Sequence, residues 1–190
     1  MEAYEEYLYE EGSRKMMNKM IIYSSQYGTS KQYATELSQK KAIPMYSVES
    51  IPESIVEADE IIYVGSIYMG KVLGFDKFSK KYKTLSSKLI VISAGMYDPT
   101  RKDNTDNIEL TVKENLQKTN FLLKDIFCLK GKLDTQQLRL KHKILVNALY
   151  KSAKRKKESD LNDNERDIVR AYEDDSQIDL NKLDGVLDRL

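Results

Sequence analysis

Short apolar runs that alternate with segments of helical spacing constrain the fold of this chain more than any other feature. Compact apolar runs that end in small residues predict buried strands. Such runs occupy residues 19–24, 43–48, 60–66, 87–95 and 121–131. Strands separated by helices predict a parallel sheet with helices on both faces. We therefore expect an α/β three-layer sandwich with a five-stranded parallel sheet, and we assume for it the strand order 2-1-3-4-5.

The segments between these strands predict helices at 30–41, 72–82 and 106–118, with a short helix or turn at 52–59. The third helix is expected to turn one side toward the core, formed by Ile108, Leu110, Val112 and Leu116. After the last strand, residues 136–157 predict a long basic helix that contains no acidic residue. The acidic segment behind it is expected to dock as a helix through Leu180, Leu183, Leu187 and Leu190.

Length, charge and cysteine content exclude several classes of protein. A chain of 190 residues is long enough for one domain with a sizeable core. Its 31 basic and 30 acidic residues give a formal net charge of +1, whereas a dedicated nucleic-acid binder carries a clear basic excess. The single cysteine, Cys128, excludes a disulfide within the chain and indicates a reducing compartment. We expect a cytoplasmic protein that binds no nucleic acid.

The first sixteen residues differ from the rest of the chain. They are acidic and tyrosine-rich, and they include a break at Gly12 and Ser13. Glutamates stand where a secretory signal would carry basic residues, so we expect no export signal. No apolar run reaches the length that spans a bilayer. We expect 1–16 to be an extension, either a short helix or disordered, and 17–190 to form the domain.

Three loops rich in small residues follow predicted strands, at 24–30, 65–70 and 93–100. In an open parallel sheet, ligands bind beyond the carboxyl ends of the strands, where the strand order reverses. With the order 2-1-3-4-5, the first and third strands are neighbours at that point. The first two loops are therefore expected to face each other across a ligand site.

The first of these loops has the composition of a phosphate site. It leads into a predicted helix N-terminus, where free N–H groups and the helix dipole attract anions. Ser25, Thr29 and Ser30 offer hydroxyl donors, and Gly28 permits a positive φ or a close approach of the backbone. The alternative is an ordinary helix N-cap. One cap needs one hydroxyl, whereas this loop offers four when Ser24 is counted, so we favour the phosphate site.

Other nucleotide-binding motifs fit less well. Residues 65–72 nearly match G-x-x-x-x-G-K-[ST], but the eighth residue is Val72, which has no hydroxyl for a magnesium ion. A G-x-G-x-x-G motif is absent. A receiver domain would share the sheet order, but it requires an acidic pair where Ser24 and Ser25 stand.

The second and third loops each place a tyrosine beside a methionine, in the pairs Tyr68–Met69 and Met96–Tyr97. Two tyrosines on neighbouring loops could stack on both sides of a planar heterocycle. Gly70 and Gly95 would let backbone amides approach the edge of such a ring. The alternative is that these are core or surface tyrosines, since the chain has 13. Their shared position beside a phosphate loop favours the ligand site.

A resemblance to flavodoxin-like proteins rests on three segments, MIIYSSQYGTSKQYATELS, VGSIYMGKVLGFDKF and ISAGMY. The chain is most similar to the flavodoxin-domain proteins grouped with menaquinone-dependent protoporphyrinogen dehydrogenase. That similarity includes the strand and basic segment FCLKGKLDTQQLRLKHKILVNALYK, and it extends from residue 18 to the C-terminus.

The resemblance implies a flavodoxin-like fold that holds one flavin mononucleotide (FMN) without a covalent bond. The phosphate would be held by Ser25, Gln26, Tyr27, Gly28, Thr29 and Ser30. One side of the ring would border Ser66, Ile67, Tyr68, Met69 and Gly70. The other side would border Ala94, Gly95, Met96 and Tyr97. Gln26 and Tyr27 depart from the threonine-rich loop of carrier flavodoxins, which implies an altered phosphate site.

The resemblance leaves three functions open. The first is an FMN-dependent oxidoreductase that passes electrons from a porphyrinogen-like or other donor to a quinone or other acceptor. The second is an electron carrier of the flavodoxin type, and the third is a binding or regulatory module without flavin. Carrier flavodoxins are typically strongly acidic, so the near-neutral charge of this chain favours the first.

The basic segment 136–157 resembles an element that enzymes of this family place near a membrane quinone. A basic amphipathic helix binds anionic bilayer surfaces, which predicts peripheral contact with the inner face of the membrane. The alternative is a docked helix with a solvated basic face. We expect a quinone or a redox protein as partner and no metal site. His142 is expected at the surface, and Cys128 as a buried structural thiol.

Overall fold

The sheet at the centre of the protein carries a helical layer on each face. The computed structural model describes residues 17–174 and 178–190, so the predicted extension 1–16 lies outside them. The strands are β1 (Lys19–Ser24), β2 (Met45–Ser47), β3 (Glu60–Tyr68), β4 (Lys71–Val72), β5 (Lys88–Gly95) and β6 (Leu122–Lys130). The main sheet is parallel in the order β2-β1-β3-β5-β6, and β4 pairs antiparallel with the end of β3. Since β4 adds only a hairpin, the predicted order of five parallel strands is confirmed.

The helices of the described residues are α1 (Thr29–Lys41), α2 (Phe75–Lys81), α3 (Lys102–Leu116), α4 (Leu140–Lys154), α5 (Asp163–Glu173) and α6 (Asp184–Leu187). Short 3-10 turns lie at Glu53–Glu57, Glu158–Asp160 and Leu180–Leu183. The basic helix that the sequence predicts at 136–157 is α4, which begins later than expected, at Leu140. The Asp134 carboxylate accepts the backbone N–H of Gln136, which forms a local turn in place of the first helical turn.

Two apolar clusters form the core, one on each face of the sheet. Ile61 and Tyr63 of β3 point into one cluster, and Ile62 and Val64 point into the other. Successive side chains of a strand alternate between faces, so a strand covered on both sides is apolar at every position. The aromatic rings of Phe75, Phe78 and Phe121 fill the first cluster, with Tyr63. Tyr33, Ala34 and Leu37 of α1 fill the second.

One predicted core residue of α3 was wrong. Ile108 and Val112 are buried, whereas Leu110 is 59% exposed. Two residues along a helix correspond to a rotation of about 200°, so Leu110 points away from the side that Ile108 presents to the sheet. The four-residue spacing of Ile108 and Val112 is the one that stays on a single face.

The C-terminal segment docks on the second cluster, as its leucines predict. Leu183 and Val186 are fully buried, and Leu180, Leu187 and Leu190 pack against the cluster at its margin. The segment is a 3-10 turn followed by the one-turn helix α6, not one continuous helix. A helix this short is not stable by itself, so the segment is held in place by its packing against the second cluster. Among the described residues, no helix combines the length and apolar character that crossing a bilayer requires.

A buried carboxylate ties the C-terminal residues to the start of the sheet. Glu60, the first residue of β3, is fully buried. Lys19 Nζ lies 3.0 Å from its Oε1 and Lys124 Nζ lies 3.0 Å from its Oε2. Glu60 Oε1 lacks a hydrogen bond of good geometry, so the attraction to Lys19 there is one of charge. The same two ammonium groups donate to the main-chain carbonyls of Leu190 and Arg189.

We predict that Glu60→Gln lowers the free energy of unfolding by about 2 kcal/mol. The amide removes the negative charge that lies between Lys19 and Lys124, two partly buried ammonium groups. Urea unfolding of the wild type and the variant measures the change. Glu53→Gln is the control, because Glu53 is exposed and lies in a surface 3-10 turn. Equal midpoints for both variants would contradict a structural role of the Glu60 charge.

Candidate functional site

The loop between β1 and α1 leaves the N-terminus of α1 open. Gly28 is the N-cap residue of α1, and no side chain makes a capping hydrogen bond there. Its φ is +92°, which favours glycine, and a Cβ at this position would meet no atom within 4 Å. The backbone N–H of Gly28 donates to Ser25 Oγ at 3.1 Å and so tightens the loop. The N-terminus of α1 is therefore open at Gly28, as an anion site requires.

The four hydroxyls of this loop serve different purposes. Ser30 is fully buried, and its Oγ lies 2.8 Å from the Oγ of Ser66 in β3. Thr29 is also buried. Ser24 is buried beside Tyr63. Burial is the main cause that raises the pKa of Tyr63, and a hydrogen bond with Ser24 acts in the opposite direction. Ser25 is half-buried and lines the groove described below. Part of the hydroxyl cluster therefore joins the loop to the sheet.

The segment predicted as the second loop is mostly strand. β3 continues through Tyr68, which pairs with Lys71 of β4, and only Met69 and Gly70 form the turn. Both have positive φ, +49° and +75°, as a two-residue type I′ hairpin requires. A paired hairpin cannot wrap a phosphate with its amides, which explains why the near-match G-x-x-x-x-G-K is not a nucleotide loop. Ser66, Ile67 and Tyr68 are thus held by sheet hydrogen bonds.

His142 joins the first loop to this hairpin. The Tyr27 hydroxyl is hydrogen-bonded to His142 Nδ1, and the Tyr68 hydroxyl lies 3.1 Å from Nε2. The centroids of the Tyr68 and His142 rings are 5.2 Å apart, and the Tyr27 ring meets the imidazole edge-on. The expectation that His142 lies at the surface was wrong: it is 9% exposed. A histidine in a basic segment gives no sequence signal of this burial, because its partners lie 115 and 74 residues away.

A groove of about 690 Å³ opens beside these residues. This volume lies in the range of small-molecule and cofactor sites. The groove is lined by Ser24, Ser25 and Gln26 of the first loop, by Tyr68 of the hairpin, and by residues of α2 and of the start of α4. Its cationic side chains are Lys77, Lys81, Arg139 and Lys141, and its acidic ones are Glu49 and Asp76. The groove therefore joins hydroxyl, aromatic and cationic groups at the carboxyl edge of the sheet.

The third predicted loop lies on the other side of β3 from this groove. Ala94 and Gly95 end β5, and a Cβ on Gly95 would come within 2.7 Å of Ile67 Cδ1. That close approach joins the second and third segments of the predicted ring site. Met96 and Tyr97 follow and are half-buried. Ala94, Gly95, Met96 and Tyr97 are not among the residues that line the groove, so their contact with a flavin ring stays a prediction.

Helix α5 holds the end of the third loop. The Asp167 carboxylate accepts the backbone N–H of Asp98 at 3.0 Å and pairs with the Arg101 guanidinium at 2.9 Å. Asp167 is almost fully buried, so this pair is shielded from solvent. Hydrogen bonds from the backbone N–H and hydroxyl of Thr100 hold the pKa of Asp98 below its usual range. The loop that carries Tyr97 is therefore fixed from its C-terminal side.

Cys128 lies in β6, half-buried. Burial is the largest cause that raises the pKa of its thiol, and a hydrogen bond from Ser93 acts in the opposite direction. The Ser93 hydroxyl lies 3.3 Å from Sγ. A raised thiol pKa leaves little of the reactive thiolate at neutral pH. The structural role of Cys128 stays a prediction, and its burial is only partial.

Comparison with known proteins gives the family. A family model described as a flavodoxin domain matches residues 20–160, which is most of the chain. The chain belongs to the flavodoxin-domain family. A comparison with curated protein sequences gives no match.

Two solved structures illustrate what this flavodoxin-domain protein is similar to, both at low identity. A candidate flavoprotein from Bacteroides eggerthii is 12% identical, with a TM-score of 0.50 over 59% of this chain and 87% of that chain. A flavoprotein from Lactobacillus acidophilus, solved in complex with FMN, is 11% identical, with a TM-score of 0.48 over 59% of this chain and 93% of that chain. At this identity the first likeness supports the fold alone.

The tip of the hairpin in this flavodoxin-domain protein is strained. Met69 adopts a left-handed φ, which costs a residue with a Cβ about 1–2 kcal/mol, and its side chain is 83% exposed. Asparagine followed by glycine is the preferred pair for this turn. We predict that Met69→Asn raises the free energy of unfolding by about 1 kcal/mol, measured by urea unfolding.

Met69→Ala is the matched control for the turn. Alanine removes the exposed side chain but keeps the Cβ that disfavours a positive φ, so we expect no gain in stability. A gain of the same size in both variants would assign the effect to the exposed methionine rather than to the backbone.

Proposed function

We propose that this flavodoxin-domain protein binds one FMN non-covalently and functions as a redox protein. The observation that carries the proposal is the uncapped N-terminus of α1, with Gly28 at positive φ, beside a groove of about 690 Å³. An open helix N-terminus supplies N–H groups and a positive dipole end for the phosphate. Membership of the flavodoxin-domain family supports the choice of ligand.

The residues present fit such a cofactor. The phosphate would lie against Ser25, Gln26 and Gly28, where the structure leaves open space. Tyr68, which the sheet and His142 fix in place, would meet the ring from one side. The segment Ala94–Tyr97 would border the ring from the other side. Bound FMN would supply the redox chemistry, and the chain would orient it and exclude water.

A flavin titration tests the proposal. We expect the purified protein to quench FMN fluorescence on binding, and to bind FMN at least about tenfold more tightly than riboflavin, because only FMN carries the phosphate. Gly28→Val should weaken FMN binding about tenfold or more, because a β-branched residue disfavours the positive φ of this loop.

Gly185→Ala is the control variant for this titration. Gly185 lies in α6 with open space around it and without a positive φ, so FMN binding should stay unchanged. Circular dichroism of each variant establishes that it is folded. Folded wild-type protein that binds no flavin would contradict the proposal and would favour a binding module without flavin.

We further propose that the protein is an oxidoreductase, which passes electrons from a porphyrinogen-like or other donor to a quinone. The near-neutral charge of the chain supports this function over that of an acidic electron carrier. The resemblance to proteins of the menaquinone-dependent protoporphyrinogen dehydrogenase type supports the donor and acceptor classes.

The exposed side of α4 supports peripheral contact with a membrane. α4 docks on α5 through a polar face, where the Tyr150 and Tyr172 rings stack at 3.9 Å and Lys154 pairs with Glu173 at 2.9 Å. The docked helix leaves apolar side chains in solvent: Leu140, Ile144, Leu145 and Leu149 are 75%, 60%, 57% and 42% exposed. Lysines flank them on the same helix. Exposed apolar residues between lysines are typical of a helix that lies on an anionic bilayer.

Reoxidation by a quinone in vesicles tests both the oxidoreductase function and the membrane contact. FMN-loaded protein, reduced without oxygen, should be reoxidised by a menaquinone-type quinone faster in anionic vesicles than in neutral ones. Ile144→Ser/Leu145→Ser should remove most of this difference, because it removes apolar surface that is already exposed. The rates for a water-soluble quinone should stay unchanged. Equal rates in both kinds of vesicle would contradict membrane contact, and no reoxidation by any quinone would favour the carrier.

A further inference from the structure

We infer that the first turn of α4 completes the phosphate end of the proposed flavin site, an inference that rests on the proposed function. Arg139 and Lys141 supply the positive charge that the first loop lacks, and His142 holds this turn of α4 against the loop. The phosphate site is thus composed of an uncharged half from the β1–α1 loop and a cationic half from a segment more than a hundred residues later in the sequence.

The first loop alone leaves the charge of a phosphate uncompensated. Between Ser24 and Ser30 the chain has no charged residue. A phosphate monoester carries nearly two negative charges at neutral pH, as a phosphorylated side chain does. Cationic side chains that reach the same groove would therefore strengthen its binding, since charge-assisted hydrogen bonds are stronger than neutral ones.

The geometry selects two of the four cations in the groove. Lys77 and Lys81 belong to α2, beside the acidic Asp76 of the same helix. Arg139 and Lys141 flank the α4 turn that His142 attaches to Tyr27 of the first loop, and they line the groove together with Ser25 and Gln26. Within the described part of the chain, neither Arg139 nor Lys141 forms an ion pair. Their charge is therefore free to meet an anion.

His142 fixes the position of these cations. It lies one position from Lys141 and three from Arg139, and both ring nitrogens have tyrosine partners. A neutral imidazole donates through one nitrogen and accepts through the other, so both hydroxyls are satisfied at once. Leu138, just before the helix, is also buried. The Tyr27–His142 hydrogen bond thereby brings the first turn of α4 to the loop that precedes α1.

A comparison of the affinities for FMN and for riboflavin tests whether Arg139 and Lys141 bind the phosphate or stabilise the flavin site as a whole. The two ligands share the flavin ring and differ in the phosphate. We expect Arg139→Gln/Lys141→Gln to bind FMN at least tenfold more weakly than the wild type does, with riboflavin affinity unchanged within twofold. The control is Lys143→Gln/Lys151→Gln, which removes two exposed charges of α4 that do not line the groove. It should leave both affinities unchanged.

The single histidine of the chain gives a second readout that needs no turnover. NMR signals of one imidazole report on His142 without assignment. We expect FMN to shift these signals in the wild type and in the Lys143→Gln/Lys151→Gln control, with a smaller shift for riboflavin. Tyr27→Phe should also shift them in the absence of flavin, because it removes the hydrogen bond to Nδ1.

Two results would overturn the inference, and they are distinguishable from failure of the proposed function. The first is that the wild-type protein binds FMN and the Arg139→Gln/Lys141→Gln variant binds it with equal affinity. The second is an equal loss of FMN and riboflavin affinity in that variant, which would show a structural effect. Wild-type protein that binds neither flavin would overturn the proposed function itself, and this inference with it.

Discussion

The pairing of β1 with β3 is the constraint on which the site depends. The two strands are parallel neighbours from Lys19–Glu60 to Ser24–Gly65, although the second strand of the sequence lies between them along the chain. Their carboxyl ends therefore emerge side by side, where the strand order reverses. The Ser30–Ser66 hydrogen bond and the Tyr27–His142–Tyr68 chain both cross this junction. If β1 had a different neighbour in the sheet, the residues that form these hydrogen bonds would lie far apart.

The site combines rigid and open parts, and the division follows from backbone chemistry. Tyr68 belongs to a paired strand, so sheet hydrogen bonds fix its position. The β1–α1 loop instead leaves the start of α1 without a side-chain cap, because the N-cap residue, Gly28, has no side chain to supply one. Buried polar groups are normally paired, and here the buried hydroxyls of Ser24 and Ser30 have protein partners. Ser25 and Gln26 of the same loop line the groove beside the helix N-terminus.

Helix α4 connects the groove to the outer surface of the protein. Its first turn lines the groove with Lys141 and His142, while its later turns dock on α5 through stacked tyrosines and an ion pair. Acidic residues of α5 pair with basic residues at the end of α4 and just beyond it, in Lys154–Glu173 and Lys156–Glu165. The apolar side chains that remain exposed are not needed for docking. One helix thus presents cations to the groove and an apolar surface to solvent.

The sequence by itself determined the strands, most helices and the loop of small residues at 24–30. These features depend on local periodicity and on residue types such as Gly28 whose preferences act within a few positions. Only the tertiary structure decided that His142 is buried between two tyrosines, that Ser30 bonds to Ser66, and that Met69 and Gly70 form a hairpin turn. The first two are contacts between distant parts of the chain. The hairpin depends on a continuation of β3 that sheet pairing stabilises, so no local pattern records any of the three.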